Sequence, residues 1–376
     1  MARRDRRAQR VFLATTPLRS CYAVHNPKPY PYPMVKRVTP ATQRIYWLSG
    51  LTARSLAVFA LSAPLLTIAQ TDNPKFREVL SAIVHVHAQV PVTARTAHVL
   101  GTEREGSGVV IDANGLILTI GYLILEASRA EVTLSTGKKV AVDILAYDYN
   151  TGFGLIRAAE SIDVRPMKLG SSGGLENSAR VLVSGYGGVE AVRPAIVVSR
   201  RVFAGYWEYL LDDAIFTSPP YPNFGGAALI GAEGELLGIG SLAVSDAFSG
   251  DPPVPGNMFV PIDHLKPILH DLLTSGRSSE PTHPWLGVYT EEVRGHLIVT
   301  RVAPEGPAAQ AGIESGDVIV AIAGQEINSM AKFYRALWAR GTAGIEVPLT
   351  VLRGAKLLSI TVRSADRYKW LRLNPV

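Results

Sequence analysis

From about Ser81 the chain alternates apolar and polar positions in short runs broken by Gly-bearing turns, the pattern of half-buried strands. Gly108–Asp112 and Leu116–Ile120 flank Asp112-Ala113-Asn114-Gly115. This predicts a hairpin, because Asn-Gly readily takes the positive φ that tight turns need. Val132–Leu134 and Val140–Ile144 flank Ser135-Thr136-Gly137-Lys138 in the same way. Further strands are predicted at Phe153–Arg157, Val181–Ser184, Ala195–Val198, Ala227–Ile230 and Leu236–Ile239, the last two joined by a turn at Gly231–Gly234. A spacing of about ten residues between strands suits a sandwich or a barrel. After Pro261 the period changes. Ile262, Leu265, Ile268, Leu269 and Leu272 recur at helical spacing and predict one amphipathic helix over Ile262–Leu273.

The polar run Thr274–Pro281 reads as a linker, and a second module follows. Pro307 is placed to start a short helix, Gly312 to end it, and Gly316-Asp317 to turn into a buried strand, Val318–Ile322. Ser329–Arg340 predicts an amphipathic helix with Met330, Phe333 and Leu337 along one face, and Glu346–Arg353 with Leu357–Val362 a hairpin around Gly354.

The length of 376 residues allows two or three domains. Hydrophobic residues at 47% against 19% charged exclude a disordered chain. The net charge of +6 is uneven: residues 1–70 hold 11 Lys and Arg against Asp5 alone, which leaves −4 for residues 71–376. The basic charge therefore belongs to the N-terminal segment and gives no ground for nucleic-acid binding. Cys21 is the only cysteine, which excludes an intrachain disulfide, a CxxC zinc site and a Cys nucleophile in the body.

Lys36, Arg37, Arg44 and Arg54 precede an uncharged apolar run of 14 residues, Leu56–Ala69. That run falls short of the about 20 residues a bilayer core requires. Basic flank, short apolar run and small residues read as a secretory signal cut near Ala69–Gln70. An uncleaved anchor over Ile45–Ala69 is the alternative, and would place Arg54 within the membrane. Either reading implies export to the periplasm or cell envelope, with membrane contact only through an uncleaved leader. Met34 is a second candidate start, and Leu18-Arg19-Ser20-Cys21 makes a poor lipobox because of Arg19.

Gly106-Ser107-Gly108-Val109-Val110-Ile111 with Asn114-Gly115 and Ile117-Leu118-Thr119, Gly225-Gly226-Ala227-Ala228-Leu229-Ile230 with Gly234–Ile239, and Phe259-Val260-Pro261-Ile262-Asp263 occur in a familiar order. On these motifs the chain resembles the HtrA/Deg-type trypsin-like serine proteases. The resemblance covers roughly residues 78–370. It implies a mainly β fold: a trypsin-like double β-barrel followed by an α+β PDZ domain. The expected organisation is a leader at 1–70, the double barrel at 78–273, a linker at 274–283 and the PDZ domain at 284–370.

Hydrolysis in that family needs a nucleophilic Ser, a His base, an Asp to orient it and N–H donors for the oxyanion. The family's His lies in a Thr-Asn-x-His-Val-Val pattern; here the run is Thr119-Ile120-Gly121-Tyr122-Leu123-Ile124, so Tyr122 takes its place. A phenol with a pKa near 10 is a poor base at neutral pH. The family's Asp lies in Asp-x-x-Thr-Asp-Leu-Ala; here Asp148-Tyr149-Asn150-Thr151-Gly152-Phe153-Gly154 puts Gly152 there. The nucleophile's Gly-Asn-Ser-Gly-Gly-Pro is replaced by Pro222-Asn223-Phe224-Gly225-Gly226-Ala227, with Phe224 for Ser and Pro222 for a glycine that supplies an oxyanion N–H. Losing the nucleophile or the His alone costs on the order of 10⁶ in turnover in a well-studied protease. Four such departures imply barrels that kept the fold and lost the reaction.

Thr217, Ser218, Ser107 and Asp148 are the nearest residues for a rebuilt site, and each also reads as a turn or strand residue. His85 and His87 alternate on one strand face, with His98 as a conceivable third ligand; exposed histidines on an outer strand are the plain alternative. No metal site and no cofactor are expected. His264 reads as a surface residue.

Pro284-Trp285-Leu286-Gly287-Val288 looks like the family's carboxylate-binding loop, and Pro307–Ile319 matches its PDZ signature. PDZ domains capture an extended peptide by strand addition. The resemblance implies that the N–H groups of Leu286, Gly287 and Val288 hold a terminal carboxylate, with Phe333 and Leu337 lining the side-chain pocket. Met330, Phe333 and Leu337 read equally well as core, and Trp285 as packing at the domain junction.

The function expected is therefore an exported, catalytically inactive HtrA-like protein that binds peptides or protein C-termini, as adaptor, chaperone-like holder or regulator of an active protease relative. The alternative is an active serine endopeptidase of envelope protein quality control. Active relatives form trimers through the start of the first barrel. Thr71–Val84 offers Phe76 and little else for this, so a homo-oligomer rests on the resemblance alone.

Overall fold

Asp112 sets the first hairpin. Its carboxylate accepts from the N–H groups of Asn114 and Leu116, both at 2.8 Å, while Gly115 takes the left-handed turn position at φ +72°. The strands it joins, with their neighbours, close a six-stranded barrel. In chain order these are β1 (Ile83–Gln89), β2 (Glu103–Val110), β3 (Leu116–Ile120), β4 (Arg129–Thr133), β5 (Lys139–Tyr147) and β6 (Phe153–Ala158), arranged β1-β2-β3-β6-β5-β4. A helix α1 (Pro74–Ser81) precedes them, and α2 (Ala97–Leu100) lies between β1 and β2.

The computed structural model describes residues 74–371 and 373. The segment expected to be a leader, with the apolar run Leu56–Ala69 and Cys21, lies outside the described residues. Among the described residues no helix is long and apolar enough to cross a membrane.

A second closed barrel comprises β7 (Arg180–Ser184), β8 (Val192–Gly205), β9 (Tyr209–Ser218), β10 (Ala228–Ile230), β11 (Leu236–Phe248) and β12 (Val254–Pro261), in the order β10-β11-β12-β9-β8-β7. One apolar cluster runs from Val86, Leu118 and Phe153 of the first barrel to Phe216 and Ile239 of the second. Val183, Ile215 and Phe259 form a further core inside the second. The chain is thus mainly β, as the alternation predicts.

Two elements differ from the sequence expectation. The helix predicted over Ile262–Leu273 is broken into a 3-10 turn at Ile262–His264 and a helix α3 (Leu269–Ser275). Pro267 has no N–H to continue a helix, and the apolar positions Ile262, Leu265, Ile268 and Leu272 are nonetheless buried. The strand expected at Ala195–Val198 extends through Gly205 and pairs with the unpredicted β9, so that β8 and β9 form a long hairpin with Gly205 opposite Tyr209.

The last module is a sheet of β13 (Val288–Val293), β14 (His296–Val302), β15 (Val318–Ile322), β16 (Gln325–Glu326), β17 (Glu346–Arg353) and β18 (Lys356–Arg363), ordered β13-β14-β15-β17-β18 with β16 on β15. Helices α4 (Pro307–Gln310) and α5 (Met330–Trp338) complete it, and α6 (Arg367–Trp370) follows. Ser329 caps α5, its Oγ accepting from Lys332 N at 3.2 Å. Phe333, Tyr334 and Leu337 at spacings of three and four bury the inner face of α5.

Candidate functional site

Tyr122 sits in a 3-10 turn, Gly121–Leu123, directly after β3. Arg104 fixes that turn from beneath, its Nη1 donating to the carbonyls of Tyr122 and Leu125, both at 2.8 Å. Burial pushes the Arg104 guanidinium down to about 10, against the opposing charge of Glu126. The Tyr122 hydroxyl reaches across to the second barrel and donates to the Ser241 carbonyl at 2.9 Å. Burial raises the pKa of this phenol well above its ordinary value, which removes it further from the range of a base.

The turn after Asn223 keeps a tight, glycine-dependent geometry. Ser107 N donates to Gly225 O at 2.8 Å, Gly226 N to Gly240 O at 2.9 Å, and Ala227 N to Phe224 O at 3.0 Å. Gly226 has φ +75°, and a Cβ there would lie 1.8 Å from the Ser107 carbonyl. A Cβ on Gly225 would meet the Tyr122 hydroxyl at 3.0 Å, so position 122 packs against the Phe224–Gly225 turn. Gly152, at φ +82°, accepts from Gly121 N at 2.7 Å and so lies beside the same turn. Pro222 is exposed on the approach to Phe224.

The other polar residues are held elsewhere. Ser107 Oγ accepts from Tyr186 N at 3.0 Å, and Ser218 Oγ donates to Pro255 O at 3.0 Å. Thr217 is fully buried. Asp148 is also buried and accepts from Thr151 N at 2.8 Å and Thr151 Oγ1 at 2.7 Å, closing the turn that carries Gly152. No described imidazole bonds either serine hydroxyl. His85 and His87 have acidic neighbours across the strands. The β1–β2 and β1–β4 registers supply them: His87 Nε2 lies 2.7 Å from Glu103 and its Nδ1 3.9 Å from Glu131, and His85 Nε2 lies 3.9 Å from Glu105. His98 lies on α2 against Arg301, at 3.3 Å. His264, in the 3-10 turn before α3, is half-buried.

In the last module Leu286, Gly287 and Val288 form a loop in which Gly287 takes φ +79°. All three N–H groups converge on one carboxylate, and it belongs to this chain. Glu208 Oε2 accepts from Leu286 N at 3.0 Å, and Oε1 accepts from Gly287 N at 2.6 Å and Val288 N at 2.9 Å. Glu208 is 5% exposed and lies in the β8–β9 turn. Burial pushes its carboxyl up to about 7, while the three backbone donors and Arg367 pull the other way. The adjoining backbone pairs as well: Thr290 N of β13 donates to Tyr206 O at 3.1 Å, and Tyr334 of α5 donates through its hydroxyl to Gly205 O at 2.8 Å.

Phe333 and Leu337 are fully buried in the module's core together with Leu286 and Val288, and Ala204 and Leu210 of the hairpin pack on that cluster. Trp285 is buried against Trp370, ring centroids 4.6 Å apart. Glu208, Tyr334 and Arg367 are absent from the sequence-derived site. Their one signal is an acidic residue at the end of the short run Gly205-Tyr206-Trp207-Glu208, between two strand-like segments.

The trypsin-like peptidase domain family matches residues 106–239, and the PDZ domain family matches residues 284–363. A putative serine protease, HhoA of Synechocystis sp., is 27% identical over 90% of this chain and 89% of its own. A probable periplasmic serine endoprotease, DegP-like, of Pseudomonas fluorescens is 28% identical over 67% of this chain. The chain spans about half the length of that relative, 54%. Among solved structures, the HtrA-type protease AlgW with tripeptide aligns over 80% of this chain and 99% of its own, at 20% identity and a TM-score of 0.46. With both domain families matched in this order, the chain belongs to the HtrA-type family of trypsin-like proteases that carry a PDZ domain.

Proposed function

We propose that this HtrA-type protein does not hydrolyse peptides and instead recognises peptides or protein C-termini through its PDZ domain, as an exported adaptor, chaperone-like holder or regulator of an active protease relative. One observation carries the reading: the hydroxyl of Tyr122 is bonded to the Ser241 carbonyl, in the place where a base must be free to take a proton. Phe224 and Gly152 supply no nucleophile and no orienting carboxylate beside it, and Pro222 offers no N–H to an oxyanion. The loop at Leu286–Val288, by contrast, presents three converging N–H groups, which is what capture of a carboxylate requires. The basic, then apolar, N-terminal segment and the periplasmic name of the Pseudomonas relative support export.

The test is turnover. The full chain is expected to leave unfolded casein intact and to resist labelling by a fluorophosphonate. Cleavage that disappears on Ser218→Ala or Ser107→Ala would establish an active endopeptidase and sink the proposal.

A further inference from the structure

We propose that the PDZ groove is occupied by the chain's own β8–β9 turn, with the Glu208 carboxylate seated where a ligand's terminal carboxylate belongs, so that a partner's C-terminus binds only by displacing this turn. The inference rests on the peptide-binding reading above and names how that same site is regulated.

Three features of the turn carry it. First, the contacts reproduce a ligand's two requirements together. Glu208 takes the three loop N–H groups, and the Tyr206 carbonyl takes Thr290 N, on the strand that an added peptide would pair with. Second, the three loop residues Tyr206, Trp207 and Glu208 join Gly205 to Tyr209, and Glu208 sits last among them at φ +58°. Hairpins of this length normally place glycine at that left-handed position. A side chain held there against its backbone preference points to a use for the side chain. Third, the turn is braced from both sides. Tyr334 bonds the Gly205 carbonyl, and Arg367 Nη1 donates to Trp207 O at 2.9 Å. Trp207 stacks on Tyr209 with centroids 5.5 Å apart, and Arg335 of α5 pairs with Asp212 of β9.

A groove filled by a tethered competitor binds an external ligand with an affinity reduced by the fraction of time it stands open. The partner class follows from the donors: a segment with a free α-carboxylate, because that group is what Glu208 imitates. Withdrawal of the turn would also free Tyr206 and Trp207 for contact with whatever holds the groove open.

The experiment measures binding of two fluorescein-labelled peptides, Gly-Ser-Ala-Leu-Val with a free C-terminus and the same sequence amidated, by anisotropy. The proteins are the full chain, Glu208→Gln and Glu208→Ala. Glu208→Gln keeps the size of the side chain and presents a neutral amide to the three donors. The free acid is expected to bind both variants at least about tenfold more tightly than the wild type, with no gain for the amide. In the wild type, saturating free acid is expected to speed hydrogen exchange at the backbone of residues 206–209. Equal affinity of wild type and both variants, with no change in exchange, would overturn the self-occupied groove and leave the peptide-binding reading standing. Faster exchange at Leu286–Val288 in the variants with no binding of either peptide at millimolar concentration would establish the internal contact and overturn the peptide-binding reading.

Discussion

A phenol at position 122 differs from an imidazole in more than its pKa. It donates its O–H to the Ser241 carbonyl, and burial raises the pKa of the phenol, so at neutral pH it remains a protonated hydroxyl and a poor base. Restoring one group at a time is therefore expected to do nothing: Phe224→Ser should remain unlabelled by a fluorophosphonate, because catalytic residues act as a unit. Labelling of that single variant would show that Tyr122 can activate a hydroxyl. Gly152 resists repair for a different reason. Its φ of +82° is a left-handed conformation in which an aspartate would carry a strain of about 1 kcal/mol. These positions were legible in the sequence because the family's pattern is local: each lies within a few residues of Gly-rich or Thr-bearing turns that survive. Glu208 was not legible in the same way. Its partners are 78 to 80 residues away, and no local spacing encodes them. The acidic neighbours of His85 and His87 were hidden for the same reason, since they arrive across strands from β2 and β4.

At the scale of elements, alternation and turn chemistry named most of the barrel strands but not β9 or β12, and the cost of a missing N–H at Pro267 explains the broken helix. The long β8–β9 hairpin escaped because its turn contains no Asn-Gly or Asp-Gly and its strands mix exposed Arg and Asp with apolar positions. In the PDZ module, the turn from α4 into β15 depends on Asp317, which is 1% exposed. Arg353 donates to it through Nε at 2.7 Å and Nη2 at 2.8 Å. These bonds to Arg353 hold the Asp317 carboxyl below its usual range, with Glu314 N adding to the effect and burial opposing it. A depressed carboxyl pKa stabilises the fold above the unfolded-state value near 3.9, and that stability is lost as pH falls through the folded value. Asp317→Asn is accordingly expected to lower stability at pH 7 by about 2 kcal/mol. The difference between variant and wild type in urea unfolding should shrink below about pH 4. A gap independent of pH would show that the bond works by shape and not by charge.

Across the whole molecule, the barrels and the PDZ domain meet through a small set of specific contacts. The helix α6 closes them from the C-terminal side. Arg367 lies over the Tyr149 ring at 3.6 Å as well as bonding Trp207 O, and the Tyr368 hydroxyl accepts from Tyr149 N at 3.0 Å. Arg95 of the first barrel stacks over Trp370 at 4.6 Å and pairs with Glu305 of the PDZ domain at 3.2 Å. Arg367→Ala is expected to cost about 1–2 kcal/mol, from a lost hydrogen bond and a lost cation–π contact. It should also raise hydrogen exchange at residues 206–209 and 286–288 more than in the barrel cores. Uniform acceleration throughout the chain would instead place α6 in global stability alone.

The bond between Tyr122 and the Ser241 carbonyl also changes what the space between the two barrels is. An extended chain entering there would look for backbone acceptors along β11, and the Ser241 carbonyl already accepts from a side chain of the opposite barrel. A single phenol thus pins one barrel to the other at this point, a link that any separation of the two would have to break first.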